Sequence, residues 1–230
     1  MVDPAWLTGR EEGQLVELPG GHRLLAPVAD AFQQLKSRAR DAGFDLAVAS
    51  SYRSFDRQLA IFNGKARGQR PVHDDAGGPV DLDSLDARGR LAAILRYSAL
   101  PGASRHHWGT DLDVYDAGSV PADYCVQLTP DEVAAGGVFD GLHTWLDAQM
   151  ASATSEGFYR PYAVDRGGVA VERWHLSYAP LAMACEQALT VEMLLDAWQD
   201  RDLALRADIE ARLDEIMARY ITVPKDWCAP

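Results

Sequence analysis

Two short segments constrain this chain more than any other feature: Ser104-Arg-His-His-Trp-Gly-Thr-Asp-Leu-Asp113 and Glu172-Arg-Trp-His175. Each gathers side chains that bind metals or move protons, yet they lie some sixty residues apart. A fold in which both matter must bring distant stretches together. His106 and Asp113 are seven residues apart, an odd number that would send them to opposite faces of one unbroken strand. The chain must therefore turn between them, and Gly109 is the residue that turns most freely. Glu172 and His175 are three apart and share a site only through a bulge or local twist.

Two imidazoles and a carboxylate form the donor set of a hydrolytic zinc site, which keeps one of four positions open for water. The spare glutamate, Glu172, can take that water's proton. A single histidine or aspartate is more often a satisfied polar residue than a ligand. The conjunction is what points to a metal.

At these residues the sequence resembles the zinc D-Ala-D-Ala carboxypeptidases and dipeptidases of bacterial cell-wall metabolism. These are the vancomycin-resistance-type enzymes, akin to lysostaphin-type peptidases and hedgehog domains. The family pattern Ser-x-His-x-x-Gly-x-Ala-x-Asp falls on Ser104, His106, Gly109 and Asp113, and its Glu-x-x-His falls on Glu172 and His175. The upstream Tyr-Arg-Ser with a following Gln falls on Tyr52, Arg53, Ser54 and Gln58, so the resemblance spans about residues 25 to 180.

The resemblance implies one Zn2+ per chain, held by His106, Asp113 and His175, with Glu172 as general base. Arg53 would polarise the scissile carbonyl or hold the substrate carboxylate, and Ser104, Tyr52 and Gln58 would contact substrate. The implied activity is hydrolysis of a short peptide at a C-terminal D-alanyl bond of a peptidoglycan precursor or fragment. Two alternatives accompany it: a lysin-type endopeptidase of intact wall, and a non-catalytic zinc-bearing peptide-binding module. Retention of both Glu172 and Arg53 argues against the second.

One position departs from the pattern. Where the family has Ala, this chain has Asp111, which can orient a ligand or solvent, anchor a substrate ammonium group, or replace Asp113 as ligand. We read it as a substrate-tuning residue, so that Asp111→Ala is expected to raise KM for amine-bearing substrates with zinc retained.

Composition narrows the partners. A net charge of -12 and a pI near 4.8 oppose binding to nucleic acid or an anionic membrane, which leaves a small peptide or muropeptide. The 230 residues suit one domain, with a motif-bearing core over 25–180 and a helical extension over 181–220. The absence of a secretory pattern at the N-terminus and three scattered cysteines point to the cytoplasm.

The expected class is α+β: a small, mainly antiparallel sheet flanked by helices, with C-terminal helices added. After a polar lead-in, helices are expected over Ala29–Ala42, Phe55–Arg67 and from about Asp83 or Leu85 to Tyr97, and strands over Phe44–Ser50 and Asp111–Tyr115. Leu112 and Val114 should face the core, leaving Asp111, Asp113 and Tyr115 on a wetter face. Residues 116–141 read as an irregular excursion over the site and the best lid candidate. Further on come a helix over Leu142–Met150, a strand or bulged strand over Val169–Tyr178, and amphipathic helices over Leu181–Trp198 and Leu203–Tyr220. Trp108 and Trp174 should pack round the site, His107 should be structural or exposed more readily than a substrate contact, and His22, His73 and His143 incidental.

Overall fold

The computed structural model describes residues 2–224, which leaves Cys228 outside. Helix α1 (Pro4–Leu7) opens the chain, capped by Asp3, whose carboxylate accepts from the Ala5 N–H at 2.8 Å. A hairpin of β1 (Leu15–Leu18) and β2 (His22–Leu25) follows. The expected polar lead-in thus contains three elements, each of four residues and too short for periodicity to report.

Helix α2 (Ala26–Asp41) starts earlier than its apolar spacing predicts, because Pro27 occupies the first turn, where no hydrogen bond is lost. It buries Val28, Phe32, Leu35 and Ala39 against the sheet. Strand β3 (Leu46–Ser50) leads to α3 (Phe55–Ala66), where the expected Ser54 cap accepts from the Arg57 N–H at 3.3 Å. Helix α4 (Ala87–Leu95) and strand β4 (Asp111–Asp116) come next. The excursion from 116 to 141 contains one short helix, α5 (Pro130–Val133), before α6 (Asp140–Ala151).

Strands β5 (Phe158–Tyr159) and β6 (His175–Tyr178) complete an antiparallel sheet of order β3-β4-β6-β5. This is the α+β arrangement expected. Leu112, Val114 and Leu176 point from the sheet into the core shared with α2 and α6.

The C-terminal region breaks more often than its pattern predicts. Instead of one helix to Trp198 there are α7 (Ala179–Ala188) and α8 (Val191–Trp198), separated where Thr190 turns extended and its hydroxyl caps the Met193 N–H at 3.3 Å. The last expected helix is α9 (Arg206–Glu210) and α10 (Leu213–Ile216), running into a wider turn over 217–221. The apolar spacing survives these breaks, because Ile209, Leu213 and Ile216 all enter one cluster with Phe62, Ile94 and Trp198. The end of the chain also closes on the loop before β6. Arg219 donates to the Gly167 carbonyl, and a Cβ at Gly168 would lie 1.9 Å from the Arg219 carbonyl oxygen. Among the described residues, no helix is long and apolar enough to cross a membrane.

His143 on α6 is buried beside Arg160, whose Nη2 donates to the His143 carbonyl at 3.2 Å. Burial, reinforced by Arg160 and Arg173, pushes its pKa down from 6.5 to about 3. The folded state therefore resists a proton that the unfolded chain accepts below about pH 6.5, so stability must fall as pH drops through that value towards about 3. From these values the loss reaches about 2 kcal/mol by pH 5. Urea denaturation at pH 7 and pH 5 should show this loss, and His143→Phe should remove most of it.

Candidate active site

The register of the sheet assembles the site. Asp113 on β4 sits opposite His175 on β6, with Leu112 opposite Leu176, so the aspartate and the histidine leave the sheet on one face. His106 comes from a single tight turn, Arg105–Trp108, after which Gly109 reverses the chain at φ 69°. A Cβ there would lie 2.6 Å from Leu15 Cδ2 and 3.3 Å from Leu25 N, so both the turn and the hairpin packed on it require glycine. Glu172 lies before β6 rather than on it. A turn closed by the His175 N–H on the Glu172 carbonyl, at 3.2 Å, meets the three-residue spacing, for which a bulge or a local twist was expected.

His106, Asp113 and His175 are buried and offer ligand atoms that all lie within 4.8 Å of one another. His106 Nε2 is 3.4 Å from Asp113 Oδ2, while His175 Nδ1 is 3.3 Å from Asp113 Oδ1 and 3.4 Å from Glu172 Oε2. Among the described residues, Asp113 Oδ1 has no hydrogen-bond partner although it is buried. A buried carboxylate oxygen without a donor is costly. A divalent cation between the three ligand atoms would satisfy it, and a set of two imidazoles and a carboxylate suits zinc.

Arg53 reaches the cleft from the loop after β3, and its cationic head rests on neutral acceptors: Gln58 Oε1 at 2.8 Å and Ser50 Oγ at 3.1 Å. Burial disfavours its charged form, and the fields of Asp113 and Glu172 oppose that loss. Its backbone is braced twice, by its N–H donating to the His106 carbonyl at 3.1 Å and by its carbonyl accepting from His107 Nδ1 at 2.6 Å. His107 Nε2 accepts from the Gly102 N–H at 3.1 Å, so this ring is a neutral strut, its pKa lowered by burial to about 3.

Three side chains expected to touch substrate do not line the cleft. Asp111 is 0% exposed and accepts from Arg105 Nε at 2.9 Å, Thr110 Oγ1 at 2.5 Å and His175 Nε2 at 2.9 Å. The wetter face predicted for it is covered, which excludes it as an ammonium anchor and as a substitute for Asp113. Of its three readings, the acceptor that orients a ligand is the one the geometry allows: with Nε2 given to Asp111, His175 turns Nδ1 towards Asp113. Gln58 is likewise 0% exposed, donating to the Ala99 carbonyl at 2.6 Å, and acts by holding Arg53. Tyr52 lies outside the cleft with the Arg23 guanidinium 4.9 Å from its ring centroid.

The cleft itself has a volume of about 400 Å³. Glu172, Arg53, Ser104 and the three clustered residues line it, as does Trp174, whereas Trp108 is packed in the core with its indole N–H on the Leu7 carbonyl at 3.1 Å. Gln127, Leu128 and Thr129 from the expected excursion form part of the wall. Sequence reasoning missed Lys65, Tyr162, Tyr220 and Ile221, and it dismissed His73, which also lines the cleft. None belongs to a recognisable motif.

The VanY family, described as D-alanyl-D-alanine carboxypeptidase, matches residues 21–181. The chain belongs to this family. By family it is a peptidase directed at peptidoglycan. An uncharacterized protein of Haemophilus influenzae is 46% identical over 103 residues, 43% of this chain and 70% of that one. A D-alanyl-D-alanine carboxypeptidase of Enterococcus faecalis is 26% identical over 190 residues, 80% of this chain but only 59% of the enterococcal protein. Among solved structures, VanYB in complex with D-alanine-D-alanine is similar at 24% identity and a TM-score of 0.51, covering 81% of this chain and 90% of that one. The LdcB LD-carboxypeptidase is similar at 23% identity and a TM-score of 0.50, covering 88% and 80% respectively. At these identities the two structures establish a common fold.

Because Asp111 holds His175, the consequence of Asp111→Ala is now expected to be the reverse of the sequence-based one. Zinc affinity should fall about 10- to 100-fold. Competition against a chelating indicator measures it, and retained affinity would return Asp111 to a role elsewhere.

Proposed function

We propose that this chain is a zinc-dependent carboxypeptidase that removes a C-terminal D-amino acid, D-alanine foremost, from a short peptidoglycan-derived peptide. The observation that carries the reading is the convergence, in one cleft, of the His106–Asp113–His175 cluster with Glu172 and Arg53. His106, Asp113 and His175 would hold one Zn2+ per chain. When bound, zinc supplies Lewis acidity, polarising a carbonyl and acidifying water.

The chain's own groups supply the rest. Glu172, 9% exposed and with Oε2 3.4 Å from His175 Nδ1, takes a proton from the attacking water and returns it to the leaving amine. Arg53, immobilised by Gln58, Ser50 and His107, presents a fixed positive charge to the oxygen that becomes negative as the tetrahedral intermediate forms. Trp174 and Tyr162 restrict water around the reacting groups.

The D-alanyl substrate follows from the family and from the enterococcal relative's activity. A cleft of about 400 Å³ walled by both residues 127–129 and residues 220–221 suits the end of a peptide better than a strand of polymeric wall running through it. Since core and C-terminal extension both line that cleft, we propose that they work as one unit.

The test combines metal analysis with a panel of D-Ala-ended dipeptides, tetrapeptides and pentapeptides. Wild type should contain zinc and release D-alanine, and chelation should abolish turnover. Glu172→Ala should keep the metal and lose about 10²- to 10⁴-fold in kcat. A metal-free preparation, indifferent to chelators, would overturn the assignment.

A further inference from the structure

Lys65 lies in the last turn of α3 and lines the cleft, where its Nζ donates to Ser98 Oγ at 2.7 Å. A lysine at a helix C-terminus ordinarily gains from the helix dipole while its ammonium stays in water. This one turns inward onto a buried serine.

Unlike most cationic side chains among the described residues, it has no carboxylate partner. With a net charge of -12 the chain has carboxylates to spare. Arg96 bridges Asp75 and Asp165, Arg105 bridges Asp111 and Glu186, and Arg173 bridges Asp140 and Asp147. Among the described residues Lys65 and Arg53 form no such pair and rest instead on a hydroxyl, or on an amide and a hydroxyl. Half-buried cations left without a carboxylate cost stability unless a ligand brings the anion. Both face the same cleft.

We propose that Lys65 is a specificity-determining residue whose ammonium pairs with the carboxylate of the substrate's C-terminal, leaving residue. The inference rests on the carboxypeptidase reading above and deepens it: Lys65 takes the terminal carboxylate, Arg53 is left to serve the scissile carbonyl, and Ser98 fixes the ammonium between them and the wall. A peptide whose end is blocked as an amide loses this contact. Selection for a free terminus is thereby built into α3, outside the family's motifs.

Two matched peptides test it, one ending in D-Ala-D-Ala as the free acid and the other as its C-terminal amide, with zinc content measured for every protein. Wild type should prefer the acid. Lys65→Met should raise KM for the acid about 10- to 100-fold, the scale of one charge-assisted contact, with kcat nearly unchanged and turnover of the amide unaffected. Lys65→Arg should restore much of the preference, and Lys65→Gln should repeat the loss if Met perturbs the helix. An undiminished preference for the acid in Lys65→Met and Lys65→Gln, or equal losses on acid and amide, would overturn the inference. A wild type that contains zinc and cleaves neither peptide would instead overturn the proposed function.

Discussion

One buried guanidinium holds the floor of the cleft in place. Arg105 is 2% exposed and donates to Asp111, Glu186, Tyr159 and Ser177, with its cationic carbon 4.8 Å from the Trp108 ring centroid. Without it Asp111 would be a buried carboxylate facing only His175 and a threonine hydroxyl, a costly arrangement. With it, Asp111 stays ionised, its pKa held below the carboxylate range despite the opposing effect of burial, and can fix the ring of His175. A buried ion pair is weak evidence for stability. The gain is geometric: a rigid line runs from Arg105 through Asp111 to the imidazole that faces Asp113.

The same economy of motion governs Arg53. Its guanidinium is held by Gln58 and Ser50, its carbonyl by His107, and its N–H by the His106 carbonyl. Two candidate functional residues, Arg53 and His106, are thus joined through backbone. Every residue from Ala103 to Val114 is buried. The motif loop is enclosed by α1, the N-terminal hairpin and α7, as a preorganised charge-stabilising site requires.

Much of this was legible in the sequence where a residue's chemistry or parity left little choice. Odd spacing demanded a turn at Gly109, alternation sent Leu112 and Val114 inward, and Ser54 marked a helix start. Periodicity distinguishes core from non-core, but it does not say what covers the polar face. Asp111 therefore read as solvent-facing although Arg105 and Ser177 seal it, and Gln58 read as a substrate contact although Ala99 and Arg53 consume its amide. Lys65 had the spacing of an ordinary surface lysine, and only the packing of α3 near Ser98 turns it inward. The breaks at Thr190 and Arg212 escaped notice because each preserves the apolar stripe on both sides.

The departure at position 111 and the identity of residue 105 explain each other. An aspartate in place of the family's alanine adds a negative charge directly behind a cluster that already contains Asp113 and Glu172. Unopposed, that charge would pull protons onto His175 and compete with any cation in front of it. Arg105, supplied six residues away by the same motif, opposes it, sharing Asp111 Oδ1 with the His175 imidazole while the Thr110 hydroxyl holds Oδ2. The pair therefore adds orientation behind His175, while at the cleft Arg53 and Lys65 rest on neutral acceptors in place of carboxylate partners.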